Sequence, residues 1–316
     1  MARPEVTASP PASSSDQDEP RACASAHGVP GRVPVRDPRA TLKAAGMYPK
    51  KAFGQNFLVS EEVARAIALA CVPDIEVGRS RVVEIGAGTG ALTGLLAARA
   101  QAVHAIERDR ELIPILASEF ALVPNVAIVE ADAKTVDVRG LLGTKSETSP
   151  RVLCGNLPYS LTGPLLRLAT ECARDLERVV FMVQDEVAER LGATPGTKSY
   201  GALTVFVRAA YSVRRVRRVG PGSFYPPPEV TSAVVELVPH DKFGAEETPI
   251  FRALVHGAFT ARRKTLRNAW AGAAREPGEL DRAATSAGID LGARGETLSV
   301  DDFARMAAAL GDRAES

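Results

Sequence analysis

The sequence predicts an α/β protein with a parallel sheet, followed by a small helical region. Five short apolar runs alternate with segments of helical spacing, an order that is typical of parallel strands joined by crossover helices. The runs occupy residues 81–86, 102–107, 126–131, 151–156 and 178–184. A glycine-rich turn follows the first run, as in sheets that bind ligands beyond the carboxyl ends of their strands. After Pro239 the strand signals stop, and apolar residues recur at helical spacing.

Further helices and a last pair of strands complete the predicted sheet. Crossover helices fit at residues 90–99, 109–120 and 164–174. Ser60 is a candidate N-cap for a helix before the first strand. Two apolar runs, 203–213 and 231–238, follow each other without a convincing helix between them, so we expect an antiparallel pair that closes the sheet. Phe224-Tyr225-Pro226-Pro227-Pro228 lies between these runs and predicts a rigid loop, because it is too rich in proline for a strand.

The chain of 316 residues is long enough for one large domain and a smaller one. Residues 1–45 carry few large apolar side chains and no periodicity, so we expect a disordered tail. The predicted sheet domain spans residues 46–240 and the small helical domain spans 241–316. Within the helical domain, Ser299 is expected to begin the last helix and Gly311 to end it.

Composition excludes few classes of binding partner, but it does indicate the compartment in which the protein is found. The formal net charge of +1 excludes neither an acidic nor a nucleic-acid partner, because a neutral total can hide a basic face. The four cysteines, Cys23, Cys71, Cys154 and Cys172, lack metal-ligand spacing and predict reduced thiols without a metal. No run approaches the roughly 18 apolar residues of a membrane span, and the start lacks the apolar core of a secretory signal. We therefore expect a soluble cytoplasmic protein.

Acidic and glycine residues at the ends of three predicted strands indicate a nucleoside cofactor. Glu84-Ile85-Gly86-Ala87-Gly88-Thr89-Gly90 links a strand to a helix, and Glu107 ends the next strand, where a carboxylate can hold ribose hydroxyls. Asp132 ends the third strand and can accept from an adenine amine. The glycines alone also fit a nicotinamide enzyme or a structural turn. The antiparallel pair and the lack of a nearby phosphate-binding lysine favour a methyltransferase that uses S-adenosyl-L-methionine.

The segment Asn156-Leu157-Pro158-Tyr159 directly follows a buried strand and should line the same crevice. The Asn156 side-chain oxygen can accept a hydrogen bond from an amino group, and so can backbone carbonyls freed by Pro158. Among these carbonyls, that of Pro158 is the expected second acceptor. Tyr159 offers a ring on which a flat base can stack. These groups suit a reaction on the exocyclic amine of a nucleobase. An ordinary Asn-x-Pro turn after a strand is the structural alternative.

Basic residues are concentrated in two segments. One contains Arg214, Arg215, Arg217 and Arg218, and the other, assigned to the first helix of the small domain, contains Arg262, Arg263, Lys264 and Arg267. A solvated face explains either segment alone. Two such segments flanking an aromatic, proline-rich loop indicate a track for a phosphate backbone.

Six motifs give the chain a family resemblance. They are GQNFL (54–58), EIGAGTGALT (84–93), EADA (130–133), NLPY (156–159), FYPPPEVTSAVV (224–235) and RRKTLRN (262–268). With these motifs the chain resembles the small-subunit (16S) ribosomal RNA adenine dimethyltransferases, which dimethylate two adjacent adenosines in a hairpin loop near the 3′ end of that RNA. The resemblance runs from about Tyr48 to Leu310 and implies a Rossmann-like methyltransferase sheet with a small C-terminal helical domain.

The resemblance also implies roles for individual residues. We expect Gln55, Asn56, Leu58, Gly86, Gly88, Glu107, Asp132 and Asn156 to surround S-adenosyl-L-methionine. Asn156, Leu157, Pro158 and Tyr159 are expected to hold the target adenine, with Phe224 as a second aromatic residue against the base. The implied partner is 16S rRNA in the small ribosomal subunit, bound by a monomer without a metal.

Two alternatives remain at this stage. The related large-subunit (23S) rRNA adenine methyltransferases of macrolide resistance share the catalytic layout, but RRKTLRN and the helical tail favour the small-subunit enzyme. A ribosome-assembly or transcription factor without catalysis is the second alternative, and the presence of Glu107, Asp132 and NLPY argues against it. Three positions depart from the family's common residues: Ser160 and Gly163 stand where Asn and Thr are frequent, and Asp185 stands where lysine is common.

Overall fold

The computed structural model describes residues 37–143, 149–240, 247–260 and 263–311. The strands are β1 (Phe57–Leu58), β2 (Arg81–Ile85), β3 (Ala102–Glu107), β4 (Val126–Glu130), β5 (Arg151–Asn156), β6 (Arg178–Gln184), β7 (Tyr211–Val219), β8 (Phe224–Tyr225) and β9 (Ser232–Pro239). The helices are α1 (Pro38–Ala44), α2 (Glu61–Cys71), α3 (Ala91–Ala97), α4 (Ile113–Glu119), α5 (Val138–Leu142), α6 (Thr162–Glu171), α7 (Asp185–Gly192), α8 (Ala202–Ala210), α9 (Pro249–Thr260), α10 (Leu266–Ala269), α11 (Glu279–Ala287) and α12 (Val300–Leu310).

The central sheet has the order β4-β3-β2-β5-β6-β9-β7. The first five strands in this order are parallel, and all five coincide closely with the apolar runs in the sequence. β9 runs antiparallel to both of its neighbours, β6 and β7, so the predicted antiparallel pair at the end of the sheet is confirmed. Because parallel strands share a direction, the ends of β3, β4 and β5 bring Glu107, Asp132 and Asn156 to one edge of the sheet.

The run 203–213 was predicted to be one strand, and this is wrong for most of its length. Residues 202–210 form α8, and the strand β7 begins only at Tyr211. Both sides of α8 are buried: Val207 packs in the core beside the sheet, whereas Val205 packs in a second core among the C-terminal helices. A helix buried on two sides has an almost unbroken apolar sequence, which periodicity does not distinguish from a buried strand.

The predicted disordered tail extends too far along the chain. Residues 38–44 form α1, which Asp37 caps by accepting a hydrogen bond from the Arg39 backbone N–H at 2.9 Å. Leu42 on this helix is 2% exposed and packs with Phe57 and Leu112. Ordered structure therefore begins before residue 45, while residues 1–36 lie outside the described residues.

The start of the predicted proline-rich loop forms the short strand β8, which pairs with β1. Phe57 of β1 lies opposite Tyr225 of β8, and Leu58 lies opposite Phe224, in an antiparallel ribbon. The Val59 backbone N–H extends this contact by donating to the Ser223 carbonyl at 2.8 Å. The ribbon fixes the glycine-containing loop before α2 against the rest of the structure.

The C-terminal helices share one core with α8. Trp270 and Phe303 are buried in it, and the Trp270 indole N–H donates to the Leu254 carbonyl at 2.8 Å. The last helix is capped as predicted, with Ser299 and Asp302 exchanging hydrogen bonds. The boundary between domains at residue 240 stays a prediction, because residues 241–246 lie outside the described ranges. In these ranges no helix is long and apolar enough to cross a membrane.

Candidate active site

One cavity at the carboxyl edge of the sheet brings the predicted site residues together. Its lining includes Gln55, Asn56, Leu58, Gly86, Gly88, Glu107, Asp132, Asn156, Leu157, Pro158 and Tyr159. These residues come from the β1 loop and from the ends of β2, β3, β4 and β5. The cavity is therefore formed where sequence reasoning put it, although the role of each residue stays a prediction.

Glu107 is a buried carboxylate with most of its acceptor capacity already used. Its Oε2 accepts from the Gly88 backbone N–H at 2.8 Å, and its Oε1 accepts from the N–H groups of Arg108 and Asp109 at 2.9 and 2.8 Å. A carboxylate has about four acceptor positions, so about one remains for a ligand hydroxyl. Gly88 has a φ of 61°, and this left-handed conformation turns its N–H toward the carboxylate.

Asp132 lies beside a cation and an aromatic ring. Its Oδ2 is 3.5 Å from the Arg108 guanidinium, and its Oδ1 accepts from the Lys134 backbone N–H at 3.0 Å. The Arg108 guanidinium is also 5.4 Å from the centre of the Phe53 ring. Phe53 lines the cavity as well, so one wall combines an acceptor with a flat apolar surface.

The Asn156 side chain has a defined orientation. Its Nδ2 donates to the backbone carbonyl of Asn56 at 2.8 Å. Because a carbonyl oxygen only accepts hydrogen bonds, the amide nitrogen must face Asn56 and Oδ1 must face away from it. In the described residues Oδ1 has no hydrogen-bond donor, which leaves it available as an acceptor in the cavity.

The turn after Asn156 favours a different backbone carbonyl from the predicted one as the second acceptor. Pro158 was the predicted one, but its carbonyl accepts from the Leu161 N–H at 2.8 Å within the turn. The other bond of the turn joins the Thr162 N–H to the Tyr159 carbonyl, so neither bond uses the carbonyl of Leu157. The Leu157 N–H donates to Met182 at 3.2 Å and its side chain is buried, which leaves its carbonyl as the better candidate.

Tyr159 is held by its hydroxyl group while its ring is partly exposed. The hydroxyl lies 2.8 Å from the Ser232 Oγ, and Ser232 is fully buried. Burial raises the pKa of Tyr159, and the hydrogen bond to Ser232 opposes this shift only in part. The phenol therefore stays neutral and its ring is fixed at the cavity wall.

Phe224 is not at the cavity, contrary to the prediction of a second base-packing ring. It is 2% exposed and packs in the core with Leu58, Val63 and Val219. The reason is its pairing with Leu58 in the β1–β8 ribbon, which points the ring into the protein. Its motif is recognisable in sequence, but the direction of its side chain depends on a partner strand far away in the chain.

Glu84 is a buried acid in the lining of the cavity. It is 1% exposed and its Oε2 accepts from the Thr93 hydroxyl at 2.6 Å. Burial raises the pKa of Glu84 to about 7, and the neighbouring Glu107 carboxylate adds to this shift. Thr93 opposes it. Glu84 is the first residue of the glycine-rich motif, but nothing in the sequence indicated that its pKa would be raised.

The first basic segment is neutralised by acidic side chains. Arg214 lies 2.6 Å from Glu236 and Arg217 lies 2.7 Å from Glu62. Asp185, one of the departures from the family pattern, lies 3.1 Å from Arg215 and 3.3 Å from Arg218. All four arginines are on β7 and each has an acidic partner, which weakens the case for this segment as a phosphate track.

The second basic segment is more open, and its position was predicted wrongly. α9 ends at Thr260, so Arg263 and Lys264 lie in the connection before α10 and not on the first helix. Both are exposed and have no acidic partner in the described residues, whereas Arg267 pairs with Asp281 at 2.7 Å. Arg262 lies outside the described residues. His, Cys, Asp and Glu side chains of the described ranges form no group of three or more that could hold a metal ion.

Comparison with a family of known proteins gives a match over most of the chain. The profile described as Ribosomal RNA adenine dimethylase matches residues 47–312. A ribosomal RNA small subunit methyltransferase A from Geobacter metallireducens is 42% identical over 278 residues, which cover 85% of this chain and 98% of that protein. A protein of the same name from Desulfitobacterium hafniense is 42% identical over 275 residues, or 86% and 95% of the two chains.

Two solved structures share the fold. A dimethyladenosine transferase from Plasmodium falciparum has a TM-score of 0.63 and 24% identity over 79% of this chain and 95% of its own. The 23S rRNA methyltransferase ErmE has a TM-score of 0.59 and 24% identity over 81% and 99%. The predicted fold class, a Rossmann-like methyltransferase sheet with a small helical C-terminal region, is thereby confirmed.

Proposed function

The chain belongs to the ribosomal RNA adenine dimethylase family, and from this premise we propose that it dimethylates two adjacent adenosines in the 3′-terminal hairpin loop of small-subunit (16S) rRNA. The oriented Asn156 amide is the observation that carries the proposal, because its free Oδ1 suits an amino group. The named relatives support the small subunit over the large subunit. We further propose that the protein acts as a cytoplasmic monomer during ribosome biogenesis.

The cavity fits S-adenosyl-L-methionine as the cofactor. Glu107 keeps about one acceptor position for a ribose hydroxyl, and the partly exposed Asp132 carboxylate can accept from an adenine amine. A side chain at Gly88 would begin 3.2 Å from the Phe57 ring, so glycine there allows this ring to pack closely against the turn. When bound, this cofactor supplies a methyl group carried on positively charged sulfur.

Two acceptors activate the target adenine. The lone pair of the 6-amino nitrogen is delocalised into the ring, and it becomes nucleophilic when both N–H bonds are held out of the ring plane. Asn156 Oδ1 accepts one of these hydrogens and the Leu157 carbonyl accepts the other. No general base is needed before attack, because the nitrogen becomes acidic only after it has gained a methyl group.

Capture of the base relies on stacking. An adenosine in a structured loop must leave its neighbours before it can enter the cavity, which costs a few kcal/mol. The half-exposed ring of Tyr159, fixed by Ser232, offers a replacement surface. With Phe224 buried, the second surface must come from another group. Phe53 and Phe57 also line the cavity, and Phe53 is the better candidate because Phe57 is only 7% exposed.

Methyl transfer to purified subunits tests the proposed function. Undermethylated small subunits, large subunits that lack adenine methylation, and labelled S-adenosyl-L-methionine would be mixed with the protein. Mass spectrometry of the RNA should find dimethylated adenosines in the 3′-terminal hairpin of the small-subunit RNA. Methylation of the large subunit in place of the small one would favour the macrolide-resistance type. A lack of transfer to both would favour a non-catalytic assembly factor.

Glu107→Gln should weaken cofactor binding by about 1 to 3 kcal/mol, because an amide nitrogen replaces an acceptor oxygen next to the Gly88 N–H. Calorimetric titration of the isolated protein without RNA measures this effect. Glu130→Gln is a matched control, since Glu130 lies opposite Glu107 in the register of β3 and β4 but does not line the cavity. Equal affinity in the Glu107 variant and the parent, or tight binding of NAD, would contradict the assignment.

Arg263 and Lys264 are expected to contact phosphates. Changing both to Gln should weaken subunit binding and lower the slope of log affinity against log salt by about two units, one per lost contact. Cofactor affinity should stay the same. The control changes Arg214 and Arg217, whose acidic partners already neutralise them, and should lose less affinity. A double variant at 263 and 264 that binds subunits like the parent at every salt concentration would show that this segment is only a solvated surface.

A further inference from the structure

We propose that Asp109 is a positioning residue for methyl transfer, which holds the loop of residues 50–56 so that Asn56 orients the Asn156 amide. The inference rests on the proposed function, because it concerns the orientation of the group assigned to the adenine amine. Asp109 itself does not line the cavity. Asp109 acts on Asn156 indirectly, through its hydrogen bonds to Lys50 and Gln55 and through the loop that these two residues hold.

Asp109 is a buried carboxylate that uses both oxygens on this loop. Its side chain is 3% exposed. Oδ1 accepts from the Lys50 ammonium at 2.7 Å, and Oδ2 accepts from the Gln55 side-chain amide at 2.8 Å. Glu111 adds a backbone N–H at 3.2 Å. One carboxylate therefore holds both ends of the loop.

The two ends of the loop are also joined to each other. Gln55 Oε1 accepts from the Lys50 backbone N–H at 2.8 Å, so the Gln55 amide bridges Lys50 and Asp109 with its oxygen and one of its two N–H groups. Gly54 turns the chain with a φ of 61°, and a side chain at this position would be 3.7 Å from the Pro158 Cβ. The loop thus lies directly against the NLPY turn.

The position of this loop determines the orientation of the catalytic amide. Asn56 follows Gln55 in the chain, and its carbonyl accepts from Asn156 Nδ2 at 2.8 Å. If Gln55 loses its partner, the Asn56 carbonyl is free to shift, and the Asn156 amide can rotate about its last torsion, which is broad for asparagine. The acceptor Oδ1 would then no longer be held toward the substrate.

The charges favour this arrangement. Burial opposes ionisation of Asp109, but the hydrogen bonds from Lys50 and Gln55 outweigh burial and lower its pKa. The hydrogen bond to Asp109 in turn raises the pKa of Lys50. The Lys50 ammonium also lies 5.5 Å from the centre of the Phe53 ring, which adds a second contact within the loop. The carboxylate stays charged and paired at neutral pH.

An exchange of amide and carboxylate tests the inference. Asp109→Asn puts an amide nitrogen against Gln55 Nε2, and Gln55→Glu puts a carboxylate against Asp109 Oδ2. Each single variant should lower the single-turnover rate up to about 100-fold at saturating cofactor and RNA, the loss expected for a displacement of about 1 Å. The double variant restores a donor opposite an acceptor, and should recover the rate to within a few-fold of the parent.

Controls separate positioning from general destabilisation. Glu76→Gln removes a similar half-buried ion pair, with Arg178 at 2.6 Å, far from the loop, and should lower the melting temperature without lowering the rate. If Asp109→Asn does not yield folded protein, Lys50→Met and Gln55→Glu test the same contacts. Single variants at the parental rate, or an exchanged pair no faster than the singles, would overturn the inference. An inactive parent would instead point to a failure of the proposed function.

Discussion

Asn156→Ala is expected to lower the rate of methyl transfer about 100- to 1000-fold, the usual cost of removing one preorganised electrostatic group. Its Oδ1 has no donor within the described residues, and the Asn56 carbonyl fixes its direction. Such an acceptor acts mainly on the transition state, so the loss should appear in the rate and much less in RNA binding. Single-turnover transfer into undermethylated small subunits measures it.

A conservative change separates the two halves of the Asn156 amide. Asn156→Asp keeps an acceptor oxygen but loses the donor to Asn56, and should therefore be slower than the parent and faster than Asn156→Ala. Saturating cofactor is required, because Asn156 lines the same cavity as the proposed cofactor residues. Transfer by Asn156→Ala at the parental rate would mean that NLPY is not the catalytic centre.

Glu84→Gln is expected to stabilise the cofactor-free protein above neutral pH. The pKa of Glu84 is raised from 4.5 to about 7 in the folded protein, chiefly by burial, so the folded state binds this proton more tightly than the unfolded chain. The stability from the protonated acid is complete below pH 4.5 and is lost as the pH rises through about 7. At about 1.4 kcal/mol per pH unit, the full loss is roughly 3 kcal/mol.

Denaturant unfolding between pH 5 and 8 tests this prediction. The glutamine keeps an oxygen for the Thr93 hydroxyl and does not titrate, so the two proteins should be almost equally stable near pH 5. By pH 8 the variant should be more stable by up to about 3 kcal/mol. The groups that face Glu84 are Thr93, Glu107 and Cys154. Parallel stability curves for the parent and the variant would exclude a raised pKa at Glu84.

The strands of the sheet could be predicted because their physical signal is local. Each parallel strand is a short apolar run, and Glu107, Asp132 and Asn156 stand at or just beyond the ends of three of these runs. α8 was missed for the opposite reason, since burial against two cores removes the polar face that identifies a helix. A continuous apolar pattern thus reports that a segment is buried, and it does not by itself distinguish a strand from a helix.

The residues that meet at the cavity could be predicted from the sequence, with the exception of Phe224, but the contacts between them could not. Parallel topology alone puts the ends of β3, β4 and β5 together. The bond between Asn156 and the Asn56 carbonyl joins residues 100 positions apart, and no spacing in the sequence indicates it. The same holds for Asp109 with Lys50, 59 positions apart, and for the ribbon that turns Phe224 inward. Leu157 replaces Pro158 as the proposed backbone acceptor because the turn already uses the Pro158 carbonyl, which the sequence does not indicate.

The β1–β8 ribbon has a consequence for protein synthesis. Its first strand is made before the sheet, but its partner, Phe224–Tyr225, is made only after β7. A nascent chain that has just emerged through β6 already contains the glycine turn, Glu107, Asp132 and NLPY, yet its N-terminal loop lacks the strand on which it docks. Closing so long a loop is slow compared with local folding. We therefore expect translation intermediates stopped before residue 224 to bind cofactor weakly, and the enzyme to become competent only late in its own synthesis.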